Sequence, residues 1–159
     1  MVIRSELSDL TSAAARRALS GLPRTGYEVV VKPLRYRTRP HLAALCDFDA
    51  RTITLQVPKP FRPFKEVVYF GARRKRGEGM SFKWLSETLA FRSRRDVLRF
   101  LYLHEWMHWY LHEELGKGSS AETACDRFAL QNFRRPRVTA VDADDALRRR
   151  ARPRHLKAA

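Results

Sequence analysis

The residues best suited to chemistry in this chain lie in the run His104-Glu105-Trp106-Met107-His108. On a helix, residues four apart lie one turn apart on the same face, so both imidazoles can reach one ion. Zinc takes nitrogen ligands at about 2.0–2.1 Å, a distance that this spacing allows. Glu105 flanks the same face, where a carboxylate can act as a base towards water. The run therefore predicts a metal centre with hydrolytic chemistry. The alternative is a pair of hydrogen-bonded histidines in the core.

A catalytic zinc ion needs a third protein ligand, and Glu122 is the strongest candidate. It lies at the predicted start of the next helix, which a turn over residues 116–120 would bring back antiparallel. Asp126 lies one turn later on the same face as Glu122. There it can accept a hydrogen bond from the outer nitrogen of a ligating histidine and fix its tautomer. The alternative is that both are ordinary exposed helix carboxylates.

His112 competes for the third position, but geometry disfavours it. An unbroken helix holds it two turns, about 12 Å, from His104. We therefore expect His112 to line the rim of a cleft or to be solvated. Tyr110, His112 and Arg127 are the candidates for a donor to the oxyanion, and the sequence does not separate them. Cys125 is expected to be a buried, inert thiol.

The helix that carries these histidines is the best-defined element of the sequence. Ser93-Arg94-Arg95-Asp96 predicts a capping box at its start, and Gly116 predicts its end. Positions at alternating four- and three-residue steps form one inward stripe, which includes both histidines, and a second apolar face runs beside it. The helix is therefore expected to be buried on two sides. These positions are Val97, Leu101, His104, His108, Leu111 and Leu115 for the stripe, and Phe100, Leu103, Met107 and Tyr110 for the second face.

The remaining elements are predicted from alternation, caps and breakers. Residues 5–20 predict a first helix capped by Ser5, and residues 27–31 predict a strand that ends at Pro33. Residues 42–48 and 52–57 predict a β-hairpin. Residues 67–70 and 80–84 flank a predicted loop over 71–79. A capping box at residues 119–122 predicts a helix to about Phe133, and Asp142 is expected to cap a short final helix before a basic tail from Arg148.

Composition narrows the functional class without choosing one. The chain has 159 residues, a length that suits one domain, and its net charge is +15. Such a charge favours nucleic acid, an anionic surface or an acidic protein as a partner. The predicted loop concentrates it at Arg73, Arg74, Lys75 and Arg76, which could contact a phosphate backbone or form a solvated hairpin end.

Two cysteines without a Cys-x-x-Cys pair disfavour a disulfide framework and favour the reducing cytoplasm. The first residues lack the apolar core of a signal peptide, and no stretch approaches about 18 uninterrupted apolar residues. We therefore expect no membrane association and a cytoplasmic location.

His104 to His108, followed by Glu122-Thr123-Ala124-Cys125-Asp126-Arg127-Phe128-Ala129-Leu130, resembles the ImmA/IrrE type of metallopeptidase among the glutamate zincins. In that family a Glu that opens a Glu-x-x-Ala-Asp/Asn-x-Phe-Ala segment supplies the third ligand. Here Cys125 takes the alanine position, and Met107 stands where a glycine is common. The resemblance covers about residues 5–133. Together with the predicted elements it implies an α+β fold, with a minimal zincin-like domain over residues 1–136. That domain has an N-terminal helix, a small twisted and mainly antiparallel sheet, and a motif helix packed on the Glu-bearing helix. Residues 61–92 would be an insertion with the basic loop, and 137–159 a basic tail.

Together these observations predict a zinc-dependent endopeptidase. Glu105 would take a proton from the attacking water and return it to the leaving amine, while the substrate lies extended along a sheet edge. The resemblance implies a regulatory protease that acts on a repressor-like or DNA-associated protein. The alternative is a basic nucleic-acid-binding or regulatory module whose zinc site is structural or vestigial.

Overall fold

The structure, a computed structural model, describes residues 1–77, 81–118 and 121–148. It confirms the mixed α+β class: within this part of the chain, strands form one four-stranded and one two-stranded sheet beside four α-helices. The strands are β1 (Ile3–Ser5), β2 (Glu28–Leu34), β3 (Ala43–Asp47), β4 (Thr52–Pro58), β5 (Phe64–Arg74) and β6 (Phe82–Phe91). The helices are α1 (Ser12–Ala18), α2 (Arg94–Trp109), α3 (Glu122–Asn132) and α4 (Ala140–Leu147), and a π-helical turn (Tyr110–Glu114) continues α2. None of the described helices is both long and apolar enough to span a bilayer.

The four-stranded sheet has the order β1-β2-β4-β3, and the prediction of a mainly antiparallel sheet is wrong for it. β2 pairs in parallel with both β1 and β4, and only β3 is antiparallel to its neighbour. The predicted end of the second strand at Pro33 is also wrong, because Pro33 lies within β2 opposite Val57. β1 pairs only with residues 29–31, so β2 has no β1 neighbour at Pro33. A missing N–H can be accommodated there without the loss of a ladder hydrogen bond.

The predicted first helix over residues 5–20 is also wrong at its start. Residues 3–5 form β1, where Ile3 is buried against the sheet, and α1 begins only at Ser12. Its cap is Thr11, whose hydroxyl accepts the N–H of Ala14 at 3.1 Å. Ser5, the predicted cap, instead donates its main-chain N–H to Ser12 Oγ at 2.9 Å. Pairing with β2 outweighs the local helical preference of these residues.

Both hairpins exist, but the second is longer than predicted. β3 and β4 form the first, as expected. β5 and β6 pair from Phe64 and Phe91 at the base to Arg74 and Phe82, with a bulge between Tyr69 and Gly71. Arg73 and Arg74 therefore lie in a strand rather than in the predicted loop. Residues 78 and 79 of that loop, and residue 80 of the predicted segment that follows it, lie outside the described residues.

Helix α2 forms as predicted and occupies the centre of the molecule. The Ser93 hydroxyl accepts the N–H of Asp96 at 3.1 Å, and the Asp96 carboxylate accepts the N–H of Arg92 at 3.3 Å. The helix packs against β3 and β4 on one side and against α3 on the other. Burial on two sides, which two apolar faces predicted, is thereby confirmed.

The end of α2 differs from the expected unbroken α-helix. Residues 110–114 form one wider π-helical turn, in which the N–H of Leu115 donates to the carbonyl of Tyr110 at 3.1 Å. Gly116 follows with a φ of +60°, the left-handed conformation that favours glycine. The wider turn directs His112 and Glu113 towards the β3–β4 hairpin side of the molecule. There the Glu113 carboxylate accepts a short hydrogen bond from the Tyr27 hydroxyl.

The core extends beyond residue 136, where we had expected the domain to end. Val138, Ala143 and Ala146 are buried in the same apolar cluster as α2. The cap of α4 is Thr139; Asp142, the predicted cap, lies in the first turn and accepts the N–H of Thr139 at 2.9 Å. Helix α3 begins at Glu122, and residues 119–120 of its predicted capping box lie outside the described residues, as does the tail beyond Arg148.

The segment before α4 passes directly over the end of α1. Gly21 has a φ of +79°, and a Cβ added there would lie 2.0 Å from the carbonyl oxygen of Pro136. The N–H of Val138 donates to the carbonyl of Gly21 at 2.9 Å. This close approach requires glycine at position 21.

A fully buried arginine joins α2 to the C-terminal ends of α1 and α3. Arg99 donates to Phe133 O at 2.7 Å, to Ala18 O and Ser20 O at 3.0 Å each, and to Arg135 O. These carbonyls lie at the C-terminal ends of α1 and α3, where helix dipoles concentrate partial negative charge. The side chain therefore compensates its burial with main-chain acceptors.

We expect Arg99→Met to destabilise the fold by at least about 3 kcal/mol, because it keeps the apolar stem but leaves several buried carbonyls without a donor. Chemical denaturation measures the free energy of unfolding. Arg95→Met is the control, since Arg95 is exposed one turn earlier and should cost no more than about 0.5 kcal/mol. Equal stabilities of the two variants would show that Arg99 does not hold these helix ends.

Candidate metal centre

Helices α2 and α3 run antiparallel, and polar contacts join them at three levels along their interface. Arg99 near the start of α2 reaches Phe133 at the end of α3. One to two turns further along α2, His104 meets Asp126. His108, near the end of α2, meets Glu122 at the start of α3. The antiparallel return expected from the sequence is therefore present.

Two imidazole nitrogens and one carboxylate converge at the start of α3. His104 Nε2 lies 3.2 Å from Glu122 Oε2, and His108 Nε2 lies 3.1 Å from Glu122 Oε1. The two Nε2 atoms lie 3.2 Å from each other. Ligands at 2.0–2.1 Å around a tetrahedral zinc ion would be about 3.3 Å apart, so these distances fit one ion. Among the described residues, His104, His108 and Glu122 form a group that could hold a metal ion.

The electrostatics of the group favour a cation. Burial opposes protonation of His104, but its contacts with Asp126 and Glu122 outweigh that effect and raise its pKa to about 10. Burial and the neighbouring His104 lower the pKa of His108. The two carboxylates thus hold one positive charge between them, and a divalent cation would satisfy the same field.

Asp126 has the contact expected of it. Its Oδ1 lies 2.8 Å from His104 Nδ1, and the side chain is largely buried. When a metal ion replaces the second ring proton, a hydrogen bond from Nδ1 would fix the neutral imidazole in the tautomer whose Nε2 lone pair faces Glu122 and His108. The carboxylate therefore orients one of the two imidazoles.

Glu105 is buried beside this group, with 7% of its surface exposed. Burial raises its pKa to about 7, assisted by repulsion from Glu122 and opposed by attraction to His104. The main-chain N–H of Cys46, in strand β3, donates to the carboxylate. This contact was not foreseen, because a main-chain donor leaves no signature in the residue type. It ties Glu105 to β3, an outer strand of the described sheet.

The structure does not bring His112 into the metal-capable group. Its ring stacks on Phe48 with centroids 4.0 Å apart, and its Nδ1 lies 3.4 Å from Glu113. The π-helical turn carries it there. The expected position at a rim or in solvent agrees with its side-chain exposure of 45%.

The other two candidate oxyanion donors are bonded elsewhere. The Tyr110 hydroxyl donates to Asp144 at 3.1 Å. Arg127 donates to Ala146 O and to Phe70 O, both at 2.8 Å, and so joins α4 and β5 to α3. Cys125 is fully buried, as expected.

The basic residues predicted to contact nucleic acid lie at the far end of the β5–β6 hairpin. Arg73 and Arg74 are the last residues of β5, and Lys75 and Arg76 begin the turn. Arg74, Lys75, Arg76 and Gly77 line an open hollow.

Comparisons with protein-family models, with curated proteins and with solved structures found no match. The structure establishes a mixed α+β fold and a His/His/Glu group that could hold a metal ion. The choice of ion and reaction rests on the chemistry of these residues.

We expect one equivalent of zinc in the purified protein and its loss in Glu122→Ala, because two imidazoles alone hold the ion weakly. Elemental analysis after dialysis measures the content. Glu114→Ala is the matched control, since it removes an exposed carboxylate from the π-helical turn and should leave zinc bound. Retention of zinc by Glu122→Ala would exclude Glu122 as a ligand.

Asp126→Asn should weaken zinc affinity about 10–100-fold without abolishing binding, because the ligands remain but one imidazole loses its orienting acceptor. Competition with a chromophoric chelator gives the affinity. Asp145→Asn removes a carboxylate from α4 and should leave the affinity unchanged. An unchanged affinity in Asp126→Asn would mean that Asp126 does not tune the site.

Proposed function

We propose that the protein is a zinc-dependent endopeptidase. The observation that carries the proposal is the convergence of two imidazoles on one carboxylate beside buried Glu105. His104 Nε2 lies 3.2 Å from Glu122 Oε2, His108 Nε2 lies 3.1 Å from Glu122 Oε1, and the two Nε2 atoms lie 3.2 Å apart. Two imidazoles and a carboxylate suit zinc among the common divalent ions. When bound, zinc would polarise a carbonyl and activate water for attack.

The number of ligands favours a catalytic over a structural ion. Structural zinc sites use four protein ligands, whereas catalytic sites use three and leave a position for water. The described group has three members, and Asp126 contacts the outer nitrogen of His104 rather than the group itself. The Glu122 side chain is 62% exposed, so the group is open to solvent on the α3 side.

Glu105 is the general base of the proposed reaction. Its carboxylate accepts a hydrogen bond from the main-chain N–H of Cys46. It would accept the proton of the attacking water and deliver it to the leaving amine, so that one carboxylate serves both steps.

Strand β3 supports a peptide as the substrate. It pairs with β4 alone among the described strands, and its Cys46 N–H points away from β4 towards Glu105. Main-chain groups two residues apart in a strand point the same way, so those of Ala44 also point away from β4. An extended peptide added to this edge would pair with Ala44 and place a peptide bond near Glu105.

The resemblance to ImmA/IrrE-type peptidases supports a regulatory role in the cytoplasm. The net charge of +15 agrees with a substrate that is repressor-like or otherwise associated with DNA. Selectivity for such a target would come from contacts outside the cleft, since pairing along a strand edge distinguishes side chains weakly.

The test is Glu105→Gln, which keeps the shape of the side chain but removes the base. A proteome-derived peptide library is incubated with zinc-loaded protein, and new termini are counted by mass spectrometry. We expect wild type to generate them and Glu105→Gln to do so about 10²–10⁴-fold more slowly, with zinc content unchanged.

Glu114→Gln is the control variant for this assay and should cleave as wild type does. Zinc-loaded wild type that generates no new termini would contradict the proposed activity. Equal rates for wild type and Glu105→Gln would contradict the role of Glu105.

A further inference from the structure

The β5–β6 hairpin has one face whose side chains are exposed at every position except the half-buried Ala90. Residues opposite one another in an antiparallel pair lie on the same face, and faces alternate along each strand. The register with its bulge puts one set of side chains together, which we call the outer face. It consists of Lys65, Val67, Tyr69, Ala72 and Arg74 on β5 and Phe82, Trp84, Ser86, Thr88 and Ala90 on β6.

The opposite face explains how the hairpin is held. Phe64, Val68, Leu89 and Phe91 belong to it and are buried in the core, and β5 packs against α3. The hairpin is thus anchored through one face at its base. The outer face points away from that anchor.

Three aromatic rings stand exposed on the outer face. Trp84 is 60% exposed, Phe82 55% and Tyr69 49%. Tyr69 and Trp84 contact each other edge to face, with centroids 6.3 Å apart. Exposed aromatics gathered on one face mark a binding surface, because scattered exposure is the usual pattern.

The charge on this face is of one sign. Lys65 and Arg74 belong to it, and it carries no carboxylate among the described residues. The acidic residues of the two strands, Glu66 and Glu87, lie on the opposite face. Beyond the rings, Arg74 and Arg76 line the hollow at the turn. The three rings therefore lie between Lys65 near the base of the hairpin and Arg74 and Arg76 at its tip.

We infer that the outer face binds single-stranded DNA, with unpaired bases stacked on Tyr69, Phe82 and Trp84 and phosphates paired with Arg74 and the cations of the turn. Ring faces and cations are the two features with which proteins hold single strands. A duplex buries its base faces and would leave the rings unused. An acidic peptide would use the cations only.

Two copies joined through this face would bring Lys65 and Arg74 of one copy against the same residues of the other, which like charges oppose. Every contact invoked is to a base or a phosphate, and none requires a 2′-hydroxyl, so we take DNA as the strand. The inference stands apart from the peptidase proposal, because binding is measured without a peptide substrate.

The first experiment measures anisotropy of a labelled 15-nucleotide oligothymidylate. Trp84→Ala should weaken binding about tenfold or more, and Trp84→Phe, which keeps a ring, should retain most of the affinity. Val141→Ala is the control, since Val141 is an apolar side chain 67% exposed on α4. The three tryptophans include Trp106 and Trp109, which are buried, so oligonucleotide quenching of the exposed fluorescence should vanish in Trp84→Phe.

The second experiment measures the salt dependence of binding. Arg74→Gln should reduce the slope of log affinity against log salt by about 0.7, the value for one phosphate contact to a single strand. Arg16→Gln removes the same charge from α1 and should leave the slope unchanged. Equal slopes for the two variants would overturn the phosphate contact.

Three results would overturn the inference. One is equal affinity of wild type and Trp84→Ala for the oligothymidylate. Another is equal or tighter binding of a 15-base-pair duplex, or tighter binding of an oligouridylate of the same length. The third is a concentration-dependent dimer, seen by sedimentation, that Trp84→Ala abolishes while the oligothymidylate does not bind.

Discussion

The candidate site depends on the relative position of α2 and α3, which polar contacts along their interface hold fixed. His104 and Glu122 belong to different helices, and their atoms lie 3.2 Å apart only because the helices are held at one relative position. A slip of one residue would turn a side chain about 100° around its helix axis. Arg99 holds one end of this interface through the carbonyl of Phe133, and Asp126 holds the middle through His104. The metal-capable group is therefore set by contacts along the whole interface.

Charge is distributed unevenly in this basic chain. The net charge is +15, yet carboxylates of Glu105, Glu122 and Asp126 act on His104. The field at the helix interface is negative enough to raise the pKa of His104 to about 10 despite its burial. On the outer face of the hairpin the opposite holds, with cations and no described carboxylate. Two surfaces of one small domain thus attract ligands of opposite charge.

Local signals in the sequence predict local structure correctly. Contacts between residues far apart in the chain account for the places where the structure differs from the prediction. The cap at Ser93 and the spacing of His104 and His108 sufficed to predict α2, because capping and helical periodicity depend on residues only a few positions apart. β1 was read as a helix because its partner, β2, lies more than twenty residues away. Glu122 was identified from its place after a predicted turn, whereas the Cys46 N–H at Glu105 belongs to the backbone and has no residue signature. Phe82, Trp84 and Ser86 occupy alternate positions in the sequence, but the strand register is needed to show that they share the outer face of the hairpin.

The acceptors of Arg99 impose an order on folding during synthesis. Ala18 and Ser20 precede the arginine in the chain, whereas Phe133 and Arg135 follow it. A ribosome adds about 5–20 residues per second, so a nascent chain spends seconds with Arg99 made and half of its acceptors absent. During that interval the guanidinium has only water in place of those carbonyls, and the face of α2 that receives α3 stays open. The two histidines and Glu122 therefore meet only after residue 122 has been made, and a metal ion could bind this group only once α2 and α3 are both present.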